Sequence, residues 1–185
     1  MSKKSEPWYI HAILYVVIVA LAYLLIRVAI IEPTEIVEAE KYYKTESRAR
    51  MSNIKAAEIL YEGKFRRYTD NLDTLVHFIK TDSNVQKLMT GIDSITGRSS
   101  NPFTNLAVGS FVADSLFASP KSLSNYILQV DTTKTVDTVI NRRGKITKID
   151  SSIVIGTKYY LECPDGYGTI GDLTDVALKN TASWE

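Results

Sequence analysis

The hydrophobic positions of this chain are concentrated near its start. An apolar run extends from Trp8 to Ile31, and residues 10–26 within it carry no formal charge when the histidine is neutral. At about 1.5 Å per residue, residues 10–31 form a helix of roughly 33 Å, enough to cross a hydrocarbon core of about 30 Å. The pattern therefore predicts a transmembrane helix over residues 10–31.

Five side chains of this run are candidate functional residues. Trp8 and Tyr9 lie where an aromatic belt would sit, and Arg27 is close enough to the other end for its guanidinium to reach the interface. Tyr15 and Tyr23 lie eight residues apart, near enough to one helix face to contact a neighbouring membrane helix. We interpret the first three as membrane-interface residues and the two tyrosines as a candidate helix-packing surface.

The charges around the span predict its orientation. Lys3 and Lys4 precede it, and four glutamates follow it within ten residues. Because positive charge is retained in the cytoplasm, we expect residues 1–9 to be a cytoplasmic N-terminus and the C-terminal domain to be periplasmic, on the far side of a cytoplasmic (inner) membrane.

A cleaved signal peptide is the alternative interpretation of the same segment. The basic start MSKK suits a signal peptide, but the apolar run is longer than the roughly 7 to 15 residues usual for the apolar region of such a peptide. It ends in the bulky sequence RVAIIEP instead of a small-residue cleavage site. The sequence therefore favours a retained anchor.

Residues 32–62 are predicted to form a long helix in two parts. Thr34 to Tyr61 contains no glycine and no further proline. Its first half, Glu35 to Arg50, is mostly polar and predicts a stalk, whereas the second half predicts a packing face. The predicted apolar stripe consists of Met51, Ile54, Ala57 and Tyr61.

Three local signals mark this long helix. Pro33 lacks an N–H group, so it predicts either the first turn of a new helix or a kink in a continuous one. Gly63 predicts the helix end as a left-handed cap residue. The pair Glu46 and Arg50 has the i to i+4 spacing that stabilises a helix.

Residues 63–185 are predicted to form an extracytoplasmic α+β domain. The segment TDNLDTLVHFIK predicts a short helix capped by Asp70, with His77 as a surface or packing residue. From Tyr126 the period becomes two, which predicts three or four antiparallel strands with turns at 141–144 and Gly156. The predicted fold class is α+β: a transmembrane helix that continues into a long amphipathic helix packed on a small antiparallel β-sheet.

The run NIKAAEILYEGKFRRYTDNLDTLVHFI, residues 53–79, resembles type IV pilins and the pseudopilins of type II secretion. In that family a long N-terminal helix ends in a tyrosine, a short glycine-containing turn and a Y-x-x-x-L-x-x-L element. The resemblance implies a pilin-like shape. The chain departs from the family in its processing motif, because it has Glu6 before the apolar run and no glycine until Gly63. Pilus function is therefore left open.

One stretch has the spacing of a nucleotide-binding fingerprint. GYGTIG, Gly166 to Gly171, matches G-x-G-x-x-G, but a dinucleotide site needs a βαβ unit and an acidic residue about twenty positions on, and the printed sequence continues for only fourteen residues. We interpret the glycines as turn residues, followed by a short final helix capped by Asp172. We therefore expect no nucleotide and no cofactor.

Composition adds little to this picture. A formal net charge of +1 gives no basic surface for nucleic acid, and one cysteine and two histidines do not make a zinc site. Asp131, Asp137 and Asp150 recur in the strand region and are predicted to face water. We predict no catalytic residues, no metal and no enzyme activity.

These observations predict a single-pass, membrane-anchored, pilin-like structural or interaction subunit of a bacterial envelope assembly, such as a secretion or motility machine. Its expected partners are the lipid bilayer and other membrane or envelope protein subunits. The alternative hypotheses are a membrane-anchored extracytoplasmic ligand-binding or sensory module and an anchored enzyme.

Overall fold

The computed structural model describes residues 8–92, 97–107, 109–140 and 146–185. The helices are α1 (Trp8–Ile26), α2 (Glu32–Phe65), α3 (Leu72–Thr81) and α4 (Ser83–Thr90), with a π-helical turn at Arg27–Ile31 and a 3₁₀ turn at Ala113–Leu116. The strands are β1 (Ile127–Ile140), β2 (Ile146–Glu162) and β3 (Thr169–Ile170). The predicted α+β arrangement is confirmed. The chain divides into two units, Met1–Tyr43 and Lys44–Glu185.

In the first unit, the helical path continues through Pro33. The π-helical turn lies directly before it, where the amide of Glu32 donates to the carbonyl of Arg27, five residues back. Thr34 Oγ1 donates to the carbonyl oxygen of Ile31 at 2.8 Å. Since proline cannot donate, the regular i to i−4 backbone bonding is interrupted here, and the wider π-helical turn lies at this interruption. Of the two alternatives from the sequence, the continuous helix is the one observed.

The second unit contains a three-stranded antiparallel sheet in the order β1-β2-β3. The register of β1 and β2 runs from the pair Ile127 and Glu162 to the pair Ile140 and Ile146. β3 pairs with the end of β2, where Leu161 is opposite Ile170. The antiparallel sheet agrees with the sequence-based prediction. The predicted turn at residues 141–144 lies outside the described residues.

The apolar stripe of α2 is part of the core, as predicted. Met51, Ile54 and Ala57 are fully buried, and Tyr61 is 6% exposed. The sheet contributes fully buried side chains from β2 and β3, namely Tyr159, Leu161 and Ile170. Ser47 of α2 connects the helix to the sheet, because its hydroxyl lies 3.0 Å from the Tyr126 hydroxyl and 3.1 Å from Cys163 Sγ.

The prediction that α2 is a stalk as far as Arg50 is wrong for its last residues. The second unit begins at Lys44, and Glu46 and Ser47 are buried. These polar side chains do not belong to an apolar stripe, so the hydrophobic pattern assigned them to solvent. They are buried because each has hydrogen-bond partners within the fold, which removes the penalty for taking a polar group out of water.

Three polar side chains of α2 bind the backbone of the segment before β1. Asn53 accepts from the amide of Thr104 at 2.7 Å and donates to the carbonyl of the same residue at 2.9 Å. Glu46 accepts from the Ala107 amide at 2.8 Å, and Arg50 donates to the Ala118 carbonyl at 2.7 Å. Glu46 and Arg50 also form the predicted i to i+4 pair at 3.1 Å. The helix therefore provides hydrogen bonds that this largely irregular segment does not make within itself.

Two predicted helix caps are assigned to the wrong residue. Gly63 lies inside α2, which ends at Phe65, and Arg66 has the left-handed backbone conformation with φ of 60°. Asn71, and not Asp70, caps α3, because its side chain accepts from the amides of Asp73 and Thr74. Asn71 lies next to Asp70, which is an equally suitable cap residue, and α2 continues past Gly63 to the packed aromatic side chain of Phe65. Local propensity does not distinguish these alternatives.

The predicted final helix does not form. Asp172 accepts from the amides of Thr174 at 2.6 Å and Asp175 at 2.8 Å, so it caps a turn as expected. The chain then continues through turns, and Ala182 pairs with Ile170 in an isolated antiparallel bridge. The terminal segment therefore extends the sheet locally instead of forming a helix.

A bulge in the sheet lies at Gly156. The register shifts between Val130 and Thr132 of β1, and opposite this point Gly156 has φ of 75°. The predicted interruption of the strand at Gly156 is therefore a bulge, and β2 continues through it. The Gly156 carbonyl accepts from the amide of Tyr68 at 2.8 Å, and a Cβ at Gly156 would lie 2.7 Å from the Tyr68 carbonyl oxygen.

The prediction that Asp131 faces water is wrong, because this side chain is buried and stabilises the same bulge. It is 8% exposed, accepts from the amide of Lys158 at 2.6 Å and accepts from the Thr157 hydroxyl. Its carboxylate therefore pairs with a backbone donor that the bulge removes from the regular ladder. The side chains of Asp137 and Asp150 lie outside the described part of the structure.

We expect Gly156→Ala to lower the free energy of unfolding by about 1–3 kcal/mol, because alanine is strained at positive φ and its Cβ would contact the Tyr68 carbonyl. Gly63→Ala is the matched control. This position is helical and a Cβ there has nothing within 4 Å, so the same substitution should raise stability by about 0.5–1 kcal/mol. Denaturant unfolding monitored by circular dichroism measures both. Equal effects of the two substitutions would contradict the argument.

Candidate functional site

The surface of α1 is apolar and exposed. The helix contains no acidic or basic residue apart from His11, no side chain of it is buried, and its large apolar side chains are 46–80% exposed. Burying one such side chain contributes about 1.5–3 kcal/mol, so leaving this set in water is unfavourable by roughly tens of kcal/mol. Among the described residues, this is the one helix long and apolar enough to span a membrane.

The five predicted residues of this segment lie on its exposed surface. Trp8 and Tyr9 are in the first turn of α1, and Arg27 begins the π-helical turn at its other end. Tyr15 is 68% and Tyr23 is 60% exposed. At 100° per residue the two tyrosines point about 80° apart around the helix, with a rise of roughly 12 Å between them. Their roles at an interface and in helix packing stay predictions.

The second unit contains an aromatic cleft, which we define by the rings of Tyr61, Phe65 and Phe78. The ring centroids of Tyr61 and Phe65 lie 4.5 Å apart, and Phe78 lies 5.3 Å from Tyr61 and 5.8 Å from Phe65. Tyr61 and Phe78 are buried, while Phe65 is 45% exposed. The first two rings belong to the last turns of α2 and the third to α3, so the cleft exists because these helices pack together.

An ion pair lies over these rings. Lys64 Nζ is 5.3 Å from the Phe65 centroid and 5.6 Å from the Phe78 centroid, and it binds Asp82 Oδ2. Asp82 Oδ1 accepts from the amides of Asn84 at 2.8 Å and Val85 at 3.1 Å, so the same carboxylate caps α4. The hydrogen bond from Lys64 is the main reason that the pKa of Asp82 is below its ordinary value.

The remaining walls of the aromatic cleft are polar. His77, Thr74 and Thr81 line a cavity of about 350 Å³ beside the rings. His77 is exposed, as the sequence predicted for a surface residue, and its carbonyl accepts from Thr81 Oγ1 at 2.8 Å. The cavity therefore combines apolar ring faces, one buried carboxylate and several hydroxyl or imidazole groups, which is a composition suited to a small ligand.

A second polar group, Glu58 of α2, lies in the core. It is fully buried and accepts from the amide of Thr69 at 3.2 Å through Oε2. Within the described part of the chain, Glu58 Oε1 and the Tyr159 hydroxyl are buried without a hydrogen-bond partner. The pKa of Glu58 is raised to about 8, mainly by burial; the hydrogen bond from the Thr69 amide opposes this rise, and the nearby carboxylate of Asp70 adds to it. Glu58 is therefore mostly protonated at neutral pH.

The thiol of Cys163 belongs to a buried network. Cys163 is 1% exposed and shares the Ser47 hydroxyl with Tyr126. Burial raises the pKa of the Tyr126 phenol to about 12, although the bond with Ser47 opposes it. The three side chains come from α2, from the residue before β1 and from the residue after β2. Their arrangement indicates a structural connection between helix and sheet.

The glycines of the GYGTIG segment act in turns and in close backbone packing, as predicted. Gly166 donates its amide to the Cys163 carbonyl at 3.0 Å, and the Gly168 carbonyl accepts from the Cys163 amide at 3.1 Å. Gly171 has φ of 79°, and a Cβ there would lie 2.3 Å from the Tyr159 carbonyl oxygen. These positions require glycine for conformational and steric reasons of the fold itself.

No group of three or more His, Cys, Asp or Glu side chains in the described ranges is arranged to hold a metal ion. The sequence analysis named Tyr61 and His77. It did not identify Glu58 or the other residues in and beside the aromatic cleft. Only one weak signal was present: Asp82 lies before Val85 and Leu88 at the spacing of a capped helix start. The approach of Lys64 to Asp82 depends on the packing of α2 against α3 and α4, which no local pattern encodes.

Comparisons with known proteins add no relative. No protein-family model matches the chain, and no curated protein and no solved structure matches it significantly. The resemblance to pilins therefore stays a prediction from residues 53–79.

We expect the stability of this protein to fall as pH rises from about 4.5 to about 8. The pKa of Glu58 is 4.5 ordinarily and about 8 when folded, so over this range the folded chain binds more protons than the unfolded chain, and stabilisation present below pH 4.5 is lost progressively. At about 1.4 kcal/mol per pKa unit, the loss from this one group is on the order of a few kcal/mol.

Glu58→Gln should remove this dependence, because glutamine does not ionise, and the variant should be more stable than the parent chain at pH 8. Tyr159→Phe is the control, since it removes another buried unsatisfied group and leaves the carboxyl group in place, so the pH dependence of its stability should persist. Denaturant unfolding at several pH values measures both. An unchanged pH slope in Glu58→Gln would show that Glu58 is not the responsible group.

Proposed function

We propose that this chain is a single-pass membrane protein that acts as a structural or interaction subunit of a bacterial envelope assembly, such as a secretion or motility machine. One observation supports the proposal most strongly: α1 exposes a continuous apolar surface that water does not stabilise. A bilayer covers such a surface, and a helix satisfies its own backbone hydrogen bonds there. The second unit then provides a folded surface for other subunits.

The proposed orientation places the N-terminus in the cytoplasm and the second unit in the periplasm. Its support is the order of charges in the sequence, with lysines before the apolar run and glutamates after it. The pilin-like shape is part of the same proposal. It is supported by an α+β arrangement in which a long N-terminal helix precedes a small antiparallel sheet.

A second candidate function is a membrane-anchored ligand-binding module. The aromatic cleft favours it, because a cavity of about 350 Å³ there combines ring faces with a buried carboxylate. The two functions need the same anchor and differ in what the second unit binds.

We expect the double substitution Val17→Arg with Leu21→Arg to prevent stable membrane insertion. Each arginine near the centre of a span opposes insertion by about 2.5–3.5 kcal/mol, so the pair opposes it by roughly 5–7 kcal/mol. The measurement is the fraction of full-length protein that stays in the membrane after alkaline carbonate extraction. The matched control is Ile36→Arg with Val37→Arg, two exposed apolar residues beyond the predicted span, which should leave that fraction unchanged.

Protease added to intact spheroplasts tests the orientation in the same preparation. We expect digestion of the second unit and protection of a tag placed before Met1. Mass spectrometry of the mature chain distinguishes an anchor from a signal peptide, since a chain beginning after Ile31 would overturn the proposal. A second unit protected from external protease would overturn the orientation alone.

Cysteine crosslinking tests the proposed packing surface of α1. We expect Tyr15→Cys and Tyr23→Cys to form crosslinks to a neighbouring membrane subunit, because both side chains are exposed on adjacent faces of the helix. Val17→Cys and Leu21→Cys are the controls, since at 100° per residue they point to the opposite side. Equal crosslinking from all four positions, or from the control pair alone, would reject this surface. The product is measured by gel mobility and identified by mass spectrometry.

A further inference from the structure

The aromatic cleft already surrounds a cation, and that cation belongs to the chain itself. The Lys64 ammonium lies 5.3 Å from the Phe65 ring centroid and 5.6 Å from the Phe78 ring centroid, and it pairs with Asp82. A ring face is electron-rich, so it attracts a positive group within about 6 Å. Several ring faces beside a carboxylate form the arrangement with which proteins bind organic ammonium ions.

We propose that the aromatic cleft is a binding site for a small organic ammonium cation, and that Lys64 occupies the cation position until a ligand displaces it. The inference rests on the second candidate function, ligand binding, and is independent of the membrane anchor.

The parts of the site differ in exposure in a way that permits displacement. The Asp82 side chain is 5% exposed and is fixed by two backbone amides, and the Tyr61 and Phe78 rings are buried. The Lys64 side chain, in contrast, is 49% exposed and has a flexible four-carbon stem. The carboxylate and the rings are therefore preorganised, while the lysine can extend into water when a ligand cation takes its place beside Asp82.

The chemistry favours a quaternary ammonium ion over an inorganic one. Sodium has a strongly held hydration shell, and its removal by ring faces alone is unfavourable, whereas a methylated ammonium carries apolar groups that pack against aromatic rings. Asp82 Oδ1 is committed to the α4 cap, so one carboxylate oxygen remains to neutralise the ligand. The cavity of about 350 Å³ is large enough for a group of this size.

The ordinary alternative is that Lys64 only fastens the end of α2 to α3 and α4. In that case its removal lowers stability and creates no affinity for cations. The two interpretations therefore differ in one measurement: replacing the lysine raises the ligand affinity under our proposal and leaves it unchanged under the alternative.

The test uses the full-length chain in a maltoside detergent, titrated with tetramethylammonium chloride and, at equal ionic strength, with sodium chloride. Isothermal titration calorimetry measures the affinity. We expect Lys64→Gln to bind tetramethylammonium about tenfold more tightly than the parent chain, because the internal competitor is gone. Lys55→Gln is the matched control, since it removes a lysine whose ion pair with Glu185, at 3.3 Å, lies outside the cleft, and it should leave the affinity unchanged.

Two further variants locate the site. In the Lys64→Gln background, Asp82→Asn removes the charge but keeps an acceptor for the α4 cap, and we expect at least a tenfold loss of affinity. In the unaltered chain, Phe65→Leu removes one exposed ring and keeps both members of the ion pair, and we expect weaker binding. The Phe65 variant provides the test should Lys64→Gln fail to fold, as judged by circular dichroism.

The results of these titrations test the cation site separately from the membrane anchor. No heat of binding beyond sodium in Lys64→Gln, or the same affinity in Lys64→Gln and the parent chain, would overturn the inference. Retained binding in the Asp82→Asn double variant, or in Phe65→Leu, would place the cation elsewhere and also overturn it. None of these results affects membrane insertion, which carbonate extraction measures separately.

Discussion

The second unit depends on hydrogen bonds from buried polar side chains of α2 to the backbone of its neighbours. Asn53 satisfies both backbone groups of Thr104, and Glu46 and Arg50 hold two further points of the segment before β1. That segment has little secondary structure of its own, so its partly buried amides and carbonyls need partners from elsewhere. One helix therefore serves both as an apolar wall of the core and as a source of donors and acceptors.

The same helix connects the features that bear on function. Its apolar stripe packs in the core with the sheet, its last turns present two of the three cleft rings, and Glu58 is buried next to Ala57 of the stripe. A change in the position of α2 would therefore alter the cleft and the core together. The ionisable group in the core, Glu58, and the cation over the rings, Lys64, both belong to this one helix.

The sequence predicted well where the physical cause is local. The stripe from Met51 to Tyr61 and the alternation after Tyr126 each follow from a repeat that burial imposes on one element, and the apolar run of α1 is visible from its composition alone. It failed where burial depends on a partner far along the chain. Glu46 is of a residue type that is usually solvated on a helix, and besides Arg50 its partner in the fold is the amide of Ala107, sixty-one positions later. The cleft was missed for the same reason, because Lys64 and Asp82 meet through tertiary packing.

The buried position of Cys163 has a practical consequence for spectroscopy. It is the sole thiol of the sequence, and it is enclosed beside Ser47 and Tyr126. Thiol reagents react with accessible thiolates, so a fluorophore or spin label will attach to an introduced surface cysteine while the native one stays unmodified. Distance measurements on the folded protein can thus be made without first replacing a residue that joins helix and sheet.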